Sequence, residues 1–92
     1  MADYIDVDQM STELKILIVQ GQTLVDQTRK EVKEPGRRLD LTCRLQLRDD
    51  CGVVEKYIKK IYSGKARRKV EEELKMAVLR LQTTADGILR RE

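Results

Sequence analysis

The stretch from position 39 to position 62, LDLTCRLQLRDDCGVVEKYIKKIY, most constrains what this chain can fold into. Arranged as a helix at about 100° per residue, it places its apolar side chains within one arc of about 140°. An arc this wide is expected to contact two neighbouring helices at once. The members of the arc are Leu39, Cys43, Leu47, Cys51, Val54, Tyr57, Ile58, Ile61 and Tyr62.

The segments on either side carry apolar stripes of their own with helical spacing. Pro35-Gly36 and Ser63-Gly64 predict the two turns, which are short and therefore favour antiparallel neighbours. Gly21 lies inside the first stripe, which predicts close approach of a neighbouring backbone. The predicted fold is all-α, an antiparallel three-helix bundle in one domain, 1–92. Its predicted parts are an acidic arm at 1–9 and helices at about 10–33, 38–62 and 65–89.

Positions 39 to 47 also support an alternative, because apolar and polar residues alternate there strictly, as in a half-buried strand. Asp49-Asp50 would then cap a short helix beginning at Cys51. The chain offers no second strand, so the strand would have to pair with its twin in another subunit. Leu, Arg and Gln favour the helix over the strand.

The order strand, short helix, turn, longer helix, over roughly residues 38–90, resembles the ribbon-helix-helix layout in architecture, without a diagnostic motif. The resemblance implies a dimer whose paired strands read the major groove of DNA. Arginine and glutamine are side chains that read base edges. The polar face of the strand would be Thr42, Arg44, Gln46 and Arg48.

Composition argues against catalysis and against bound cofactors. The chain has no histidine, no glycine-rich phosphate loop, and no serine or cysteine near a recognisable base. Cys43 and Cys51 cannot fill four zinc positions, so we expect neither metal nor cofactor. We interpret both as reduced thiols of a cytoplasmic or nuclear protein. No apolar run reaches membrane-spanning length, so no membrane partner is expected.

A basic segment at 59–69 is the first candidate site, with six cations and no acid. It is a candidate contact for an anion or a nucleic acid. The alternative is a solvated face supported by pairs between the last three cations and Glu71, Glu72 and Glu73. The six cations are Lys59, Lys60, Lys65, Arg67, Arg68 and Lys69.

Apolar residues outside the stripes are the second candidate site. Leu41 and Leu45 lie one helical turn apart, and Met76 and Leu79 are similarly placed on the third helix. These four are the predicted face for a partner protein or for self-association as a homodimer. We therefore expect a non-catalytic adaptor that presents a helical face to another protein, with nucleic-acid binding as the alternative.

Overall fold

The computed structural model of the chain describes residues 4–36 and 38–90. After a short 3₁₀ helix, Val7–Gln9, these residues form three α-helices: α1 Thr12–Val32, α2 Leu41–Tyr62 and α3 Lys69–Leu89. The helices pack pairwise against one another, and the described ranges contain no strand beyond one isolated bridge. The predicted three-helix bundle is confirmed.

Side-chain caps explain where the first two helices begin. The Ser11 hydroxyl accepts a hydrogen bond from the Leu14 amide at 3.2 Å, and Asp40 accepts one from the Cys43 amide at 2.8 Å. These bonds satisfy amides that a helix leaves unpaired in its first turn. The bond from Cys43 also lowers the pKa of the Asp40 carboxyl. At the turns, Gly36 and Gly64 adopt the left-handed conformation, with φ of 86° and 78°.

The strand alternative for residues 38–48 is wrong. Residues 41–48 are helical, and Asp40 caps this helix at its start. Asp49 and Asp50 do not cap a later helix, because both lie inside α2. With no strand there, the ribbon-helix-helix resemblance fails as well.

The third helix begins at Lys69, later than the predicted start at about residue 65. The N-terminal segment is the reason, since it uses the backbone just before α3. The Ile5 amide donates a hydrogen bond to the Ala66 carbonyl at 2.7 Å, and Tyr4 forms an isolated antiparallel bridge with Arg67. Ile5 and Ala66 are both buried, so the contact belongs to the core.

Contacts between α2 and α3 show that these two helices run antiparallel. Along α3, Glu73 lies beside Tyr57 and Arg80 lies beside Asp50, so α2 runs in the opposite direction. Most of the predicted arcs form the core, with Leu47, Val54, Ile61, Leu74 and Leu81 among its most buried side chains. Tyr62, a predicted member of the α2 arc, is instead 55% exposed.

Gly21 lies where all three helices meet. A Cβ atom built there would lie 3.1 Å from a methyl of Val78 on α3 and 3.2 Å from a methyl of Val54 on α2. Close approach at Gly21 was predicted, but the groups that approach are side chains rather than backbone. This contact fixes the rotation of each helix and therefore determines which residues face outward.

Candidate functional site

One face of α2 combines exposed leucines with arginines. Leu41 is 71% exposed and Leu45 is 42% exposed. Arg44 and Arg48 are exposed beside them, and the four positions follow the i, i+3, i+4, i+7 spacing of a single helical stripe. Gly52, also exposed, continues the stripe one turn later. We call Leu41, Arg44, Leu45, Arg48 and Gly52 the leucine–arginine face.

A cleft of about 170 Å³ between α1 and α2 borders the leucine–arginine face. Its floor is apolar apart from one hydroxyl, and its rim is basic. The floor residues are Thr28, Val32, Leu47 and Cys51, and the rim residues are Arg29, Lys33, Arg44 and Arg48. We call this depression the α1–α2 cleft, and Arg44 and Arg48 belong to both the cleft and the face.

The charges of the rim are mostly uncompensated. Arg29 binds Glu55 through two hydrogen bonds, one of 2.9 Å, and this pairing lowers the pKa of the Glu55 carboxyl. Within residues 4–36 and 38–90, no ion pair involves Lys33, Arg44 or Arg48. Three positive charges therefore remain available around an apolar floor.

The thiol in the floor is chemically quiet. Cys51 is 1% exposed, and burial raises the pKa of its thiol to about 11. The thiolate is the reactive form, so this residue is a poor nucleophile at neutral pH. Both cysteines are thiols rather than halves of a disulfide.

The buried thiol predicts how stability depends on pH. Between pH 9 and pH 11 the unfolded chain loses the Cys51 proton while the folded chain keeps it, so the free energy of unfolding falls as pH rises. The loss should approach about 2–3 kcal/mol. Urea titrations across this range should show the fall in the wild type, with a smaller one in Cys51→Val, which lacks the titrating group. Equal falls in both proteins would contradict the burial of this thiol.

The four predicted apolar residues do not form one patch. Met76 is 63% exposed and lies beside Val53 along the α2–α3 groove, with Leu79 one turn later on α3. On α2, Leu41 and Leu45 point about 80–120° away from Val53 and lie about two to three turns earlier. The structure therefore separates the predicted face into two surfaces, of which the Leu41/Leu45 surface has the cleft beside it.

The basic segment lies at the opposite end of α2 from Leu41. All six of its cations are exposed. Among the described residues, no ion pair joins Arg67, Arg68 or Lys69 to the glutamates four residues later. Because α3 starts only at Lys69, the helical spacing assumed for Arg67 and Arg68 is lost. Arg67 instead lies over the Tyr4 ring, with its guanidinium carbon 5.9 Å from the ring centre.

The polar residues assigned to the strand face do not share a surface. On the helix, Arg44 and Arg48 lie on the α1 side, whereas Thr42 and Gln46 project about 160° away from them. Sequence reasoning missed the contribution of α1, since Arg29 and Lys33 join the arginines only through packing. Their i, i+4 spacing at the end of α1 was the available signal.

A buried carboxylate lies under the α2–α3 surface. The Asp50 side chain is 7% exposed, and one of its oxygens lies 3.7 Å from Nε of Arg80, a largely exposed side chain. The other oxygen has no hydrogen-bond partner in the described structure. A buried charge with so weak a partner is destabilising.

Removing that carboxylate should therefore stabilise the fold. Asp50→Ala is expected to raise the free energy of unfolding by about 1–2 kcal/mol, through loss of the buried charge and better helix propensity. Its neighbour Asp49 is exposed, so Asp49→Ala isolates the propensity contribution of about 0.5 kcal/mol. Urea unfolding of both variants measures the difference. Asp50→Ala that is less stable than the wild type would show that the carboxylate supports the core.

Residues 4–36 and 38–90 include no group of three or more potential metal ligands. None of the helices in these ranges is sufficiently long and apolar to cross a lipid bilayer. Comparison with protein-family models, curated proteins and solved structures found no match to this chain.

Proposed function

We propose that this chain is a non-catalytic interaction module that binds a protein partner through the leucine–arginine face. The observation that carries the proposal is the exposure of Leu41 and Leu45 on a helix whose opposite side is fully packed. Two large aliphatic side chains one turn apart form the kind of anchor on which helical interfaces depend. Burying the exposed part of each side chain against a partner gains about 1–2 kcal/mol for Leu41 and about 1 kcal/mol for Leu45.

The other pairs of exposed apolar residues are weaker candidates for a binding face. Ile16 and Val19 on α1 are also exposed, but the groove beside them is lined mainly by uncharged polar side chains. Met76 and Leu79 lie next to the paired and opposite charges of the α2–α3 groove. The leucine–arginine face has both an apolar centre and a charged rim, an arrangement typical of specific interfaces.

The test compares capture of partners by three forms of the tagged chain from a nuclease-treated lysate of the native host. Leu41→Asp/Leu45→Asp should lose, by tenfold or more, a protein that the wild type retains. Ile16→Asp/Val19→Asp, an equally polar change on another face, should retain it. Circular dichroism checks that both variants are helical. Equal capture by all three forms would contradict the proposal.

Self-association through Leu41 and Leu45 is part of the same proposal, with a second copy as the partner. Sedimentation at several concentrations distinguishes the two cases. A mass that rises with concentration in the wild type but not in Leu41→Asp/Leu45→Asp supports a homodimer. A constant monomer mass leaves a different protein as the partner.

Two cysteine thiols suit a reducing compartment, so we propose that this activity belongs to the cytoplasm or nucleus.

Nucleic-acid binding through the basic segment is the second candidate function. The observation in its favour is that six exposed cations cluster between the end of α2 and the start of α3, and α3 has no side-chain cap there. Exposed cations that cluster in this way attract phosphate. Binding to mixed-sequence duplexes should then weaken steeply as salt is added. Replacement by glutamine of all four of Lys59, Lys60, Arg67 and Arg68 should abolish it. Salt-insensitive or absent binding removes this candidate.

A further inference from the structure

We propose that the partner segment bound by the leucine–arginine face is an acidic amphipathic helix of another protein, which inserts one apolar side chain into the α1–α2 cleft. This inference rests on the proposed function and adds the chemistry of the partner. Three features of the surface carry it: its charge, a glycine with no internal role, and the size of the cleft.

The charge of this surface determines the charge expected of its partner. The cleft rim has four cations, and only Arg29 has an ion-pair partner within residues 4–36 and 38–90. Lys33, Arg44 and Arg48 therefore repel one another mildly and would be stabilised by carboxylates opposite them. The basic segment at 59–69 lies at the other end of α2, so the cations of the cleft rim form a separate cluster.

Gly52 indicates close approach by another chain. A glycine inside a helix costs about 1 kcal/mol relative to alanine. At Gly21 the packing of Val54 and Val78 explains that cost, but a Cβ atom built on Gly52 meets nothing within 4 Å. The fold itself therefore does not require glycine at this exposed position. A partner helix lying along the face gives this glycine a role, because the missing side chain lets the two backbones approach closely.

The dimensions of the cleft fit a side chain. Small-molecule sites usually occupy about 300–1,000 Å³. The α1–α2 cleft encloses about 170 Å³ above a floor that includes Val32, Leu47 and Cys51. An apolar side chain of a docked helix fills such a volume, while the acidic side chains flanking it reach Lys33, Arg44 and Arg48. Leu41 and Leu45 then pack against the next apolar positions of the same helix.

A nucleic acid matches this surface less well than an acidic helix does. Phosphates pair with arginine, but they gain nothing from Leu41 and Leu45 or from an apolar floor. The acidic helix uses the charges, the leucines and the cleft together. A duplex that binds this face is accordingly an outcome that overturns the proposal.

The experiment uses a fluorescent synthetic peptide with leucines at i, i+3, i+4 and i+7 and glutamates on the flanking positions. One control peptide replaces the glutamates with lysines, and another scrambles the order of the residues. A 16-base-pair duplex of mixed sequence is the nucleic-acid arm. Fluorescence anisotropy measures binding to the full chain, and amide chemical shifts locate it.

The acidic peptide should bind at least tenfold more tightly than either control, and it should shift amides of the leucine–arginine face. Gly52→Ala should weaken this binding about tenfold, because the new methyl group meets the peptide backbone. Yet the same change should raise the melting temperature by about 4–8 °C. Gly87→Ala is the matched control, since Gly87 is also an exposed helical glycine with no atom within 4 Å of a built Cβ. It should increase stability and leave binding unchanged.

Several results would overturn the proposal. Binding of the acidic peptide that is no tighter than binding of its controls would contradict the proposal. Tighter binding of the duplex at the same amides would favour a nucleic acid instead. Unchanged affinity in Gly52→Ala would remove the argument for close approach. Failure of this inference is distinguishable from failure of the proposed function. If the peptide does not bind but Leu41→Asp/Leu45→Asp still loses a native partner from the lysate, the protein-binding role stands and the partner has another chemistry.

Discussion

Leu81→Ala is expected to lower the free energy of unfolding by about 3 kcal/mol. Leu81 is fully buried in the central cluster where α3 packs against the other two helices. Truncation removes the transfer free energy of the side chain and leaves a cavity, which together cost about 2–5 kcal/mol at such positions. A domain of this size has only about 5–14 kcal/mol of stability in total, so the variant should unfold at much lower urea concentration.

Leu79→Ala, two residues earlier on the same helix, is the matched control. Its side chain is 57% exposed, so the same change should cost less than about 1 kcal/mol. Urea unfolding followed by circular dichroism measures both variants under the same conditions. Similar losses at the two positions would mean that α3 presents a different side to the bundle.

Gly21→Leu is expected to cost about 3 kcal/mol or more, or to prevent folding. Even the Cβ atom would lie close to Val54 and Val78, and the remaining atoms of leucine have no space between α2 and α3. Overpacking of this kind forces helices apart or side chains out of their rotamers. The expected loss of stability is informative, because helix propensity alone would raise the free energy of unfolding of the leucine variant by about 0.8 kcal/mol.

Gly87→Leu separates packing from helix propensity. Gly87 lies in α3 with open space around it, so leucine there should leave stability unchanged or increase it slightly. Thermal unfolding of the two variants provides the comparison. If Gly21→Leu is as stable as Gly87→Leu, the three helices do not meet at Gly21.

Helical periodicity made most of the fold predictable from the sequence. The stripes of α1 and α3 repeat without interruption, and the glycines at 36 and 64 mark the turns by their left-handed backbones. At the start of α2 the pattern was ambiguous, because alternate leucines fit a strand as well as a helix with an exposed side. Asp40 resolves it, since its carboxylate caps the helix three residues before Cys43. An aspartate at this position ahead of a helix is a capping signal that the sequence contains.

Features that depend on tertiary packing were not predictable in the same way. The late start of α3 follows from the bond between Ile5 and Ala66, residues far apart in the sequence. The α1–α2 cleft exists because Arg29 and Lys33 come to lie beside Arg44 and Arg48. Local periodicity identifies which residues face outward, but only the packing of helices decides which outward residues become neighbours.

The most direct test of this account is an NMR measurement of nuclear Overhauser effects from the Gly21 α-protons in a methyl-labelled sample. The account predicts contacts to methyls of both Val54 and Val78, together with helical amide contacts through residues 41–48. This combination places α1 against both α2 and α3 and places Leu41 and Leu45 on the outer surface. Contacts from Gly21 to neither valine, or amide contacts from residues 41–48 across to a second molecule, would contradict the bundle and the binding face derived from it.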